Sequence, residues 1–160
     1  MTPDRPPPAP PPSPAAAKVR SASCLCGRLA LEVAGDPFFV LACNCTQCQR
    51  RTGSSFGLSA YFHCAQIRSL DGEERCFNRQ AESGRIVQTH FCPHCGTTLY
   101  WTGPDGSIAE HIGVAGGCFA DADFPAPQLI SWNRHQAHWL DFPAGTPSLA
   151  TQPDKLKGPD

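Results

Sequence analysis

Seven of the ten cysteines fall in three tight groups: Cys24-Leu25-Cys26, Cys43-Asn44-Cys45-Thr46-Gln47-Cys48 and Cys92-Pro93-His94-Cys95. A tetrahedral zinc bonded to sulfur at about 2.3 Å needs its sulfurs within roughly 4 Å of one another, and a Cys-x-x-Cys turn supplies that spacing. Cys92 and Cys95 fit it, and Gly96 directly after them permits the positive backbone dihedral that closes such a turn. Cys24 and Cys26 stand two apart, so an extended segment would send both sulfurs to one side. The two half-sites together complete a closed four-cysteine centre of structural type. In a small sheet protein such a centre contributes on the order of 10 kcal/mol of apparent binding free energy or more.

The middle group has a different arithmetic. Cys43, Cys45 and Cys48 place three thiolates within six residues and leave one tetrahedral position for something else, the pattern of a catalytic zinc. The competing reading closes that position with Cys64, Cys76, Cys118 or a histidine and makes a second inert centre. A disulfide fits less well, because Cys43 and Cys45 are too close on an extended segment to pair comfortably. His90 and His94 stand four apart, yet Pro93 between them opposes the helix that would make this a metal pair. His94 is therefore expected outside the ligand set. Trp101, Trp132 and Trp139 read as core or rim aromatics, one of which lines a pocket.

The chain that must position these groups has 160 residues, enough for one modest domain and tails. Met1 to Lys18 carries eight prolines and almost no large apolar side chain. It cannot supply a secretory apolar segment and is expected to be a disordered Pro-rich tail. The default compartment is then the reducing cytoplasm, where clustered thiols bind metal rather than form disulfides. A net charge of −1, from 13 Lys and Arg against 14 Asp and Glu, gives no overall basic field for nucleic acid. No apolar run approaches the roughly 18 residues that cross a membrane. Positive charge is nonetheless gathered in mid-chain, at Arg50, Arg51, Arg68, Arg75, Arg79 and Arg85, which leaves room for a local anion site.

Short alternating segments broken by Gly, Pro, Asp and Asn predict a mainly β domain over residues 20–142 and a flexible tail over 143–160. Leu29, Leu31 and Val33 share one face of a strand, and Gly35-Asp36-Pro37 is read as the turn of a hairpin into Phe38-Phe39-Val40-Leu41. Further strands are expected at Phe56–Phe62, Ile67–Leu70, Arg75–Asn78, Arg85–Phe91, Thr97–Trp101, Ile108–Val114 and Gln128–Trp132. A short helix fits Thr46 to Arg51, stopped by Gly53.

In this order the three groups resemble the glutathione-dependent formaldehyde-activating enzyme family, whose domain is shared with centromere protein V. The resemblance runs from about Ala22 to Asp141. It rests on Ser23-Cys-Leu-Cys-Gly27, on Cys43-Asn-Cys-Thr-Gln-Cys48 followed by Arg50-Arg51-Thr52-Gly53-Ser54, and on Phe91-Cys-Pro-His-Cys-Gly-Thr-Thr-Leu-Tyr-Trp101. Gly116-Gly117-Cys118-Phe119 and Asp123-Phe124-Pro125-Ala126-Pro127 match a later segment. It implies an Mss4-like (β-tent) fold of short antiparallel strands with few short helices. It also implies two zinc ions per chain: a structural one on Cys24, Cys26, Cys92 and Cys95, and a catalytic one on Cys43, Cys45 and Cys48.

The implied activity is that of a carbon–sulfur lyase making or cleaving S-hydroxymethylglutathione, with glutathione and formaldehyde as small-molecule partners. Arg50 or Arg51, just past Cys48, would meet a glutathione carboxylate. Asn44 stands where many relatives carry histidine. Two other functions remain open at this point: a zinc-stabilised module that binds glutathione or a protein without turnover, and a redox enzyme using Cys64, Cys76 or Cys118.

Overall fold

The computed structural model describes residues 17–81, 84–103 and 111–152. Among these residues ten strands form two sheets, and most begin and end within a residue or two of where the alternation of apolar side chains puts them. They are β1 (Val19–Ser23), β2 (Ala30–Ala34), β3 (Phe39–Cys43), β4 (Gly57–His63), β5 (Ile67–Asp71), β6 (Arg75–Gln80), β7 (Ile86–Phe91), β8 (Thr98–Thr102), β9 (His111–Ala115) and β10 (Leu129–Ser131). The small sheet has the order β1-β2-β5, the large one β10-β3-β4-β9-β8-β7-β6. Every pairing is antiparallel except that of β10 with β3. The single α-helix among the described residues, α1 (Thr46–Thr52), stops at Gly53, whose φ of 64° and N–H bond to the Gln49 carbonyl end it as expected. No described helix is long and apolar enough to cross a membrane.

The expected hairpin around Gly35-Asp36-Pro37 is not formed. β2 pairs instead with β1, a strand the alternation did not single out, and with β5, while β3 enters the other sheet. The difference follows from what each strand must bury. β2 is one-sided, with Leu31 and Val33 inward, whereas β3 is buried at every position and needs neighbours on both edges, which β10 and β4 provide. The crossing is held by side chains: Gln66 Nε2 donates to the Ala34 and Asp36 carbonyls, and the buried Arg20 bonds Asp36 and Asp121. Asp71-Gly72 likewise carries the chain from the small sheet to the large one. At Gly72 a Cβ would overlap the Arg28 carbonyl, so only glycine lets the two turns cross so closely.

Between the sheets lies one apolar core. Leu29, Leu31 and Val33 from the β2 side meet Phe62, Leu99, Ile112 and Val114 from the large sheet. Each such fully buried side chain is worth about 1.5–3 kcal/mol. The large sheet also uses its opposite face. On β4, Ala60 and Phe62 face the core while the alternate residue Tyr61 joins Phe39 and Leu41 in a second cluster on the far side.

Part of the expected Ile108–Val114 strand and most of the Pro-rich tail fall outside the described residues, as does the stretch from 153 onward. The segment from Pro143 to Gln152, expected to fray, instead returns beside β10. Ile130 donates to Pro147, Leu149 to Ile130 and Asn133 to Leu149. Backbone pairing with an edge strand, which composition does not report, anchors it.

Candidate metal centres and the cleft between the arginines

Two turns, one from each sheet, bring the first four cysteines together. Cys24 to Gly27 form the turn between β1 and β2, closed by the Gly27 N–H on the Cys24 carbonyl, with Gly27 at φ 75°. The pair Cys24 and Cys26 thus converges through a tight turn rather than along an extended segment. A strand at this point would have continued β1 past its partner instead of folding back into β2. Cys92 to Gly96 form the matching turn between β7 and β8, closed by the Gly96 N–H on the Cys92 carbonyl, with Gly96 at φ 74°.

Cys24 Sγ lies 3.6 Å from Cys26 Sγ, and Cys26 Sγ 3.7 Å from Cys92 Sγ. With Cys95 the four sulfurs sit within 4.8 Å of one another. Several are already poised as acceptors: the Leu29 N–H donates to Cys24 Sγ at 3.2 Å. The Thr97 hydroxyl, 3.3 Å from Cys95 Sγ, heads the causes that hold that thiol down at about 5. His94 stands outside the set as expected, half exposed, with Nδ1 3.1 Å from Arg28 Nη1 and Nε2 3.7 Å from Glu73.

The second centre forms where β3 runs into α1. Cys43 ends the strand, Cys45 is the N-cap, and Cys48 lies in the first helical turn with its N–H on Cys45 Sγ at 3.4 Å. All three are buried and their sulfurs also lie within 4.8 Å of one another. Among the described residues no fourth donor joins them. Cys64 is exposed after β4, and Cys118, on the Gly116–Phe119 turn, directs its thiol to the Thr98 carbonyl.

Asn44 is fully buried and turned to structural use. Its backbone N–H and its side-chain amide both donate to the Ser131 carbonyl of β10, and its own carbonyl accepts from Gln49. It therefore fixes the strand end from which the cysteines project.

The three thiols open onto a cleft on the outer face of the large sheet, walled by Tyr61, Trp101 and Trp132 and rimmed by Arg51, Arg79 and Arg85. Of the mid-chain arginines, Arg51 is in the cleft and stacks 4.5 Å from the centre of the Trp101 ring, while Arg50 is exposed and outside its lining. Arg79 and Arg85 were legible as part of a basic stretch, but only the pairing of β6 with β7 brings them to the cysteines. Arg79 is held by a hydrogen bond to Gln47 of α1. Tyr61 carried no signal beyond the alternation of β4. Trp101 and Trp132 are buried in the cleft wall, and Trp139 is exposed elsewhere.

The three thiols differ sharply from one another in how readily they ionise. Hydrogen bonds from Cys43 and Cys45, with Arg51 and Arg79 nearby, hold the Cys48 thiol far below its ordinary value, while the same bonds push Cys43 far above. Burial, with Cys48 nearby, pushes the Tyr61 phenol up to about 12. It stays a neutral donor at physiological pH. The all-sulfur donor sets suit zinc, whose structural sites take four protein ligands and whose catalytic sites take three.

A family model described as glutathione-dependent formaldehyde-activating enzyme matches residues 19–135. The match takes in all ten strands and all three cysteine groups. The family's fold is the Mss4-like one, in agreement with the antiparallel β architecture seen here.

Proposed function

Because the chain belongs to the glutathione-dependent formaldehyde-activating enzyme family, we propose that it is a zinc-dependent carbon–sulfur lyase or synthase. It joins or releases formaldehyde and glutathione, or a closely related small thiol adduct. The carrying observation is the pairing of a buried three-thiol group that lacks a fourth donor among the described residues with a cleft rimmed by three arginines. Cys43, Cys45 and Cys48 would hold the catalytic zinc, and Cys24, Cys26, Cys92 and Cys95 a structural one. When bound, zinc at such a centre supplies Lewis acidity and keeps a thiol ionised at neutral pH.

The chain's own residues supply recognition and position. Glutathione carries a carboxylate at each end, and a guanidinium meets a carboxylate through two parallel hydrogen bonds. Arg51, fixed by Trp101, and Arg79, fixed by Gln47, are preorganised for that contact. Trp101 and Trp132 wall the cleft beside the sulfurs. Tyr61 keeps its proton and offers a hydrogen-bond donor rather than a charge.

The reaction itself is simple: the thiol gives up its proton, its sulfur forms a bond to the carbonyl carbon, the π pair moves to oxygen, and oxygen takes up a proton. Cleavage is the reverse. A thiol with pKa near 8.5 is about 3% ionised at pH 7, so complete ionisation gains at most about 30-fold, part of which is lost to lower basicity. Holding sulfur and carbonyl together must supply the larger share.

Metal removal tests this reading. A chelator should abolish acceleration of adduct formation and added zinc should restore it. Acceleration insensitive to the chelator in demonstrably metal-free protein would contradict it.

A further inference from the structure

A third group of donors stands apart from both cysteine centres. Cys76 on β6 and His90 on β7 are directly opposed across the ladder, and His90 is in turn opposed to Tyr100 on β8. Directly opposed residues hold their side chains close enough to touch. Glu74, just ahead of β6, completes the group. His90 Nδ1 lies 3.3 Å from Cys76 Sγ and 2.9 Å from Glu74 Oε1, and the three donor atoms fall within 4.8 Å of one another.

The surroundings of the group are those of a built site. The Tyr100 hydroxyl donates to the other Glu74 oxygen at 2.7 Å. The far nitrogen of His90 is 3.4 Å from the Thr102 hydroxyl. The Tyr100 ring lies flat on the imidazole, 4.2 Å between centroids and 9° between planes. Ring orientation, and the direction in which the carboxylate presents its free oxygen, are thereby set from outside the group, as partners around metal ligands commonly do.

The arrangement does not suit a proton relay. In a nucleophile–histidine–carboxylate relay the thiol and the carboxylate use different ring nitrogens. Here both converge on Nδ1, and one nitrogen cannot hold a proton toward one partner and a lone pair toward the other. A cation at the point of convergence would satisfy sulfur, nitrogen and oxygen together.

We propose that Glu74, Cys76 and His90 form a third metal site, binding a divalent transition cation of the zinc class. One sulfur, one nitrogen and one oxygen make a borderline donor set that disfavours calcium and magnesium, which take oxygen ligands. Cys76 is exposed, so water or a small ligand completes the coordination from solvent. The site ties β6, the otherwise exposed edge strand that also carries Arg79, to its neighbour.

Zinc titration of the full chain against a chromophoric chelator, followed by elemental analysis, tests this. Wild type should bind one equivalent more than Cys76→Ala, a change at an exposed position that leaves the folded circular dichroism spectrum intact. Glu74→Gln should weaken that same equivalent by tenfold or more. With cobalt(II), the difference spectrum between wild type and Cys76→Ala should carry the charge-transfer band of a single thiolate. Equal zinc in wild type and Cys76→Ala would overturn the site. The test reads a difference of one equivalent, so it stands or falls independently of the two cysteine centres.

Discussion

Gly113 on β9 lies directly opposite Trp101 on β8, and the indole covers it so closely that any Cβ there would overlap the ring. The same indole carries Arg51 on its face and walls the cleft. A missing side chain on one strand thus bears on the position of a guanidinium that belongs to α1. Gly113→Ala should destabilise the fold by about 1–3 kcal/mol, the usual cost of overpacking. It should also raise KM for the thiol substrate, because Trp101 cannot keep its place. Chemical denaturation and steady-state kinetics on one preparation check both effects.

Arg51 and Arg50 adjoin in sequence, but only Arg51 lines the cleft. A hydrogen bond to a charged partner is worth about 1.5–3 kcal/mol, or roughly 10- to 150-fold in affinity. Arg51→Ala should lower glutathione affinity by that factor, and Arg51→Lys should recover only part, since a point charge cannot reproduce the paired contact. Arg50→Ala should leave affinity unchanged. Calorimetric titration of the three variants distinguishes them.

The two cysteine centres should fail differently. Cys92 is fully buried where the turn between β7 and β8 meets the turn between β1 and β2, so Cys92→Ser should remove a tie worth on the order of 10 kcal/mol and abolish cooperative folding. Cys45→Ser removes a ligand at the cleft instead. It should leave a cooperative melt and eliminate turnover.

Alkaline pH offers a further check. The chain has two tyrosines, and burial raises both Tyr61 and Tyr100, Tyr61 to about 12. In the unfolded chain tyrosine titrates near 10. A raised folded value means that the contribution to stability is complete below about pH 10 and is lost as pH rises from there through about 12. For Tyr61 the loss amounts to at most about 3 kcal/mol. Phenolate absorbance should therefore remain absent at pH 10 in the folded protein and appear at its ordinary midpoint in denaturant. Half-titration near pH 10 without unfolding would contradict the burial of these hydroxyls.

The cysteine groups were legible because metal ligation depends on short local spacings, and Cys92-Pro93-His94-Cys95-Gly96 carries its geometry within one turn. The helix at Thr46 was legible through its Gly53 stop. Which sheet each strand would join was not. The turn chemistry at Gly35-Asp36-Pro37 is that of a hairpin, and only the two-sided burial of Phe39–Cys43 and the Arg20 clamp on Asp36 overrule it. The cleft was hidden for the same reason. Arg79, Arg85, Tyr61 and Trp132 come from β6, the residue before β7, β4 and the residue after β10, and their meeting is a property of strand order rather than of any local pattern. Cys76 and His90 are 14 residues apart and become neighbours only through the β6–β7 register.

Carbon–sulfur bond exchange at Cys43, Cys45 and Cys48 can be measured by NMR exchange between free glutathione and its formaldehyde adduct at equilibrium, with zinc-loaded protein and a Cys45→Ser control. The exchange rate should rise in proportion to protein above the uncatalysed rate and return to it in the control. Zinc-loaded protein that leaves the exchange rate unchanged, or a Cys45→Ser variant that accelerates it as well as wild type, would contradict exchange at these cysteines.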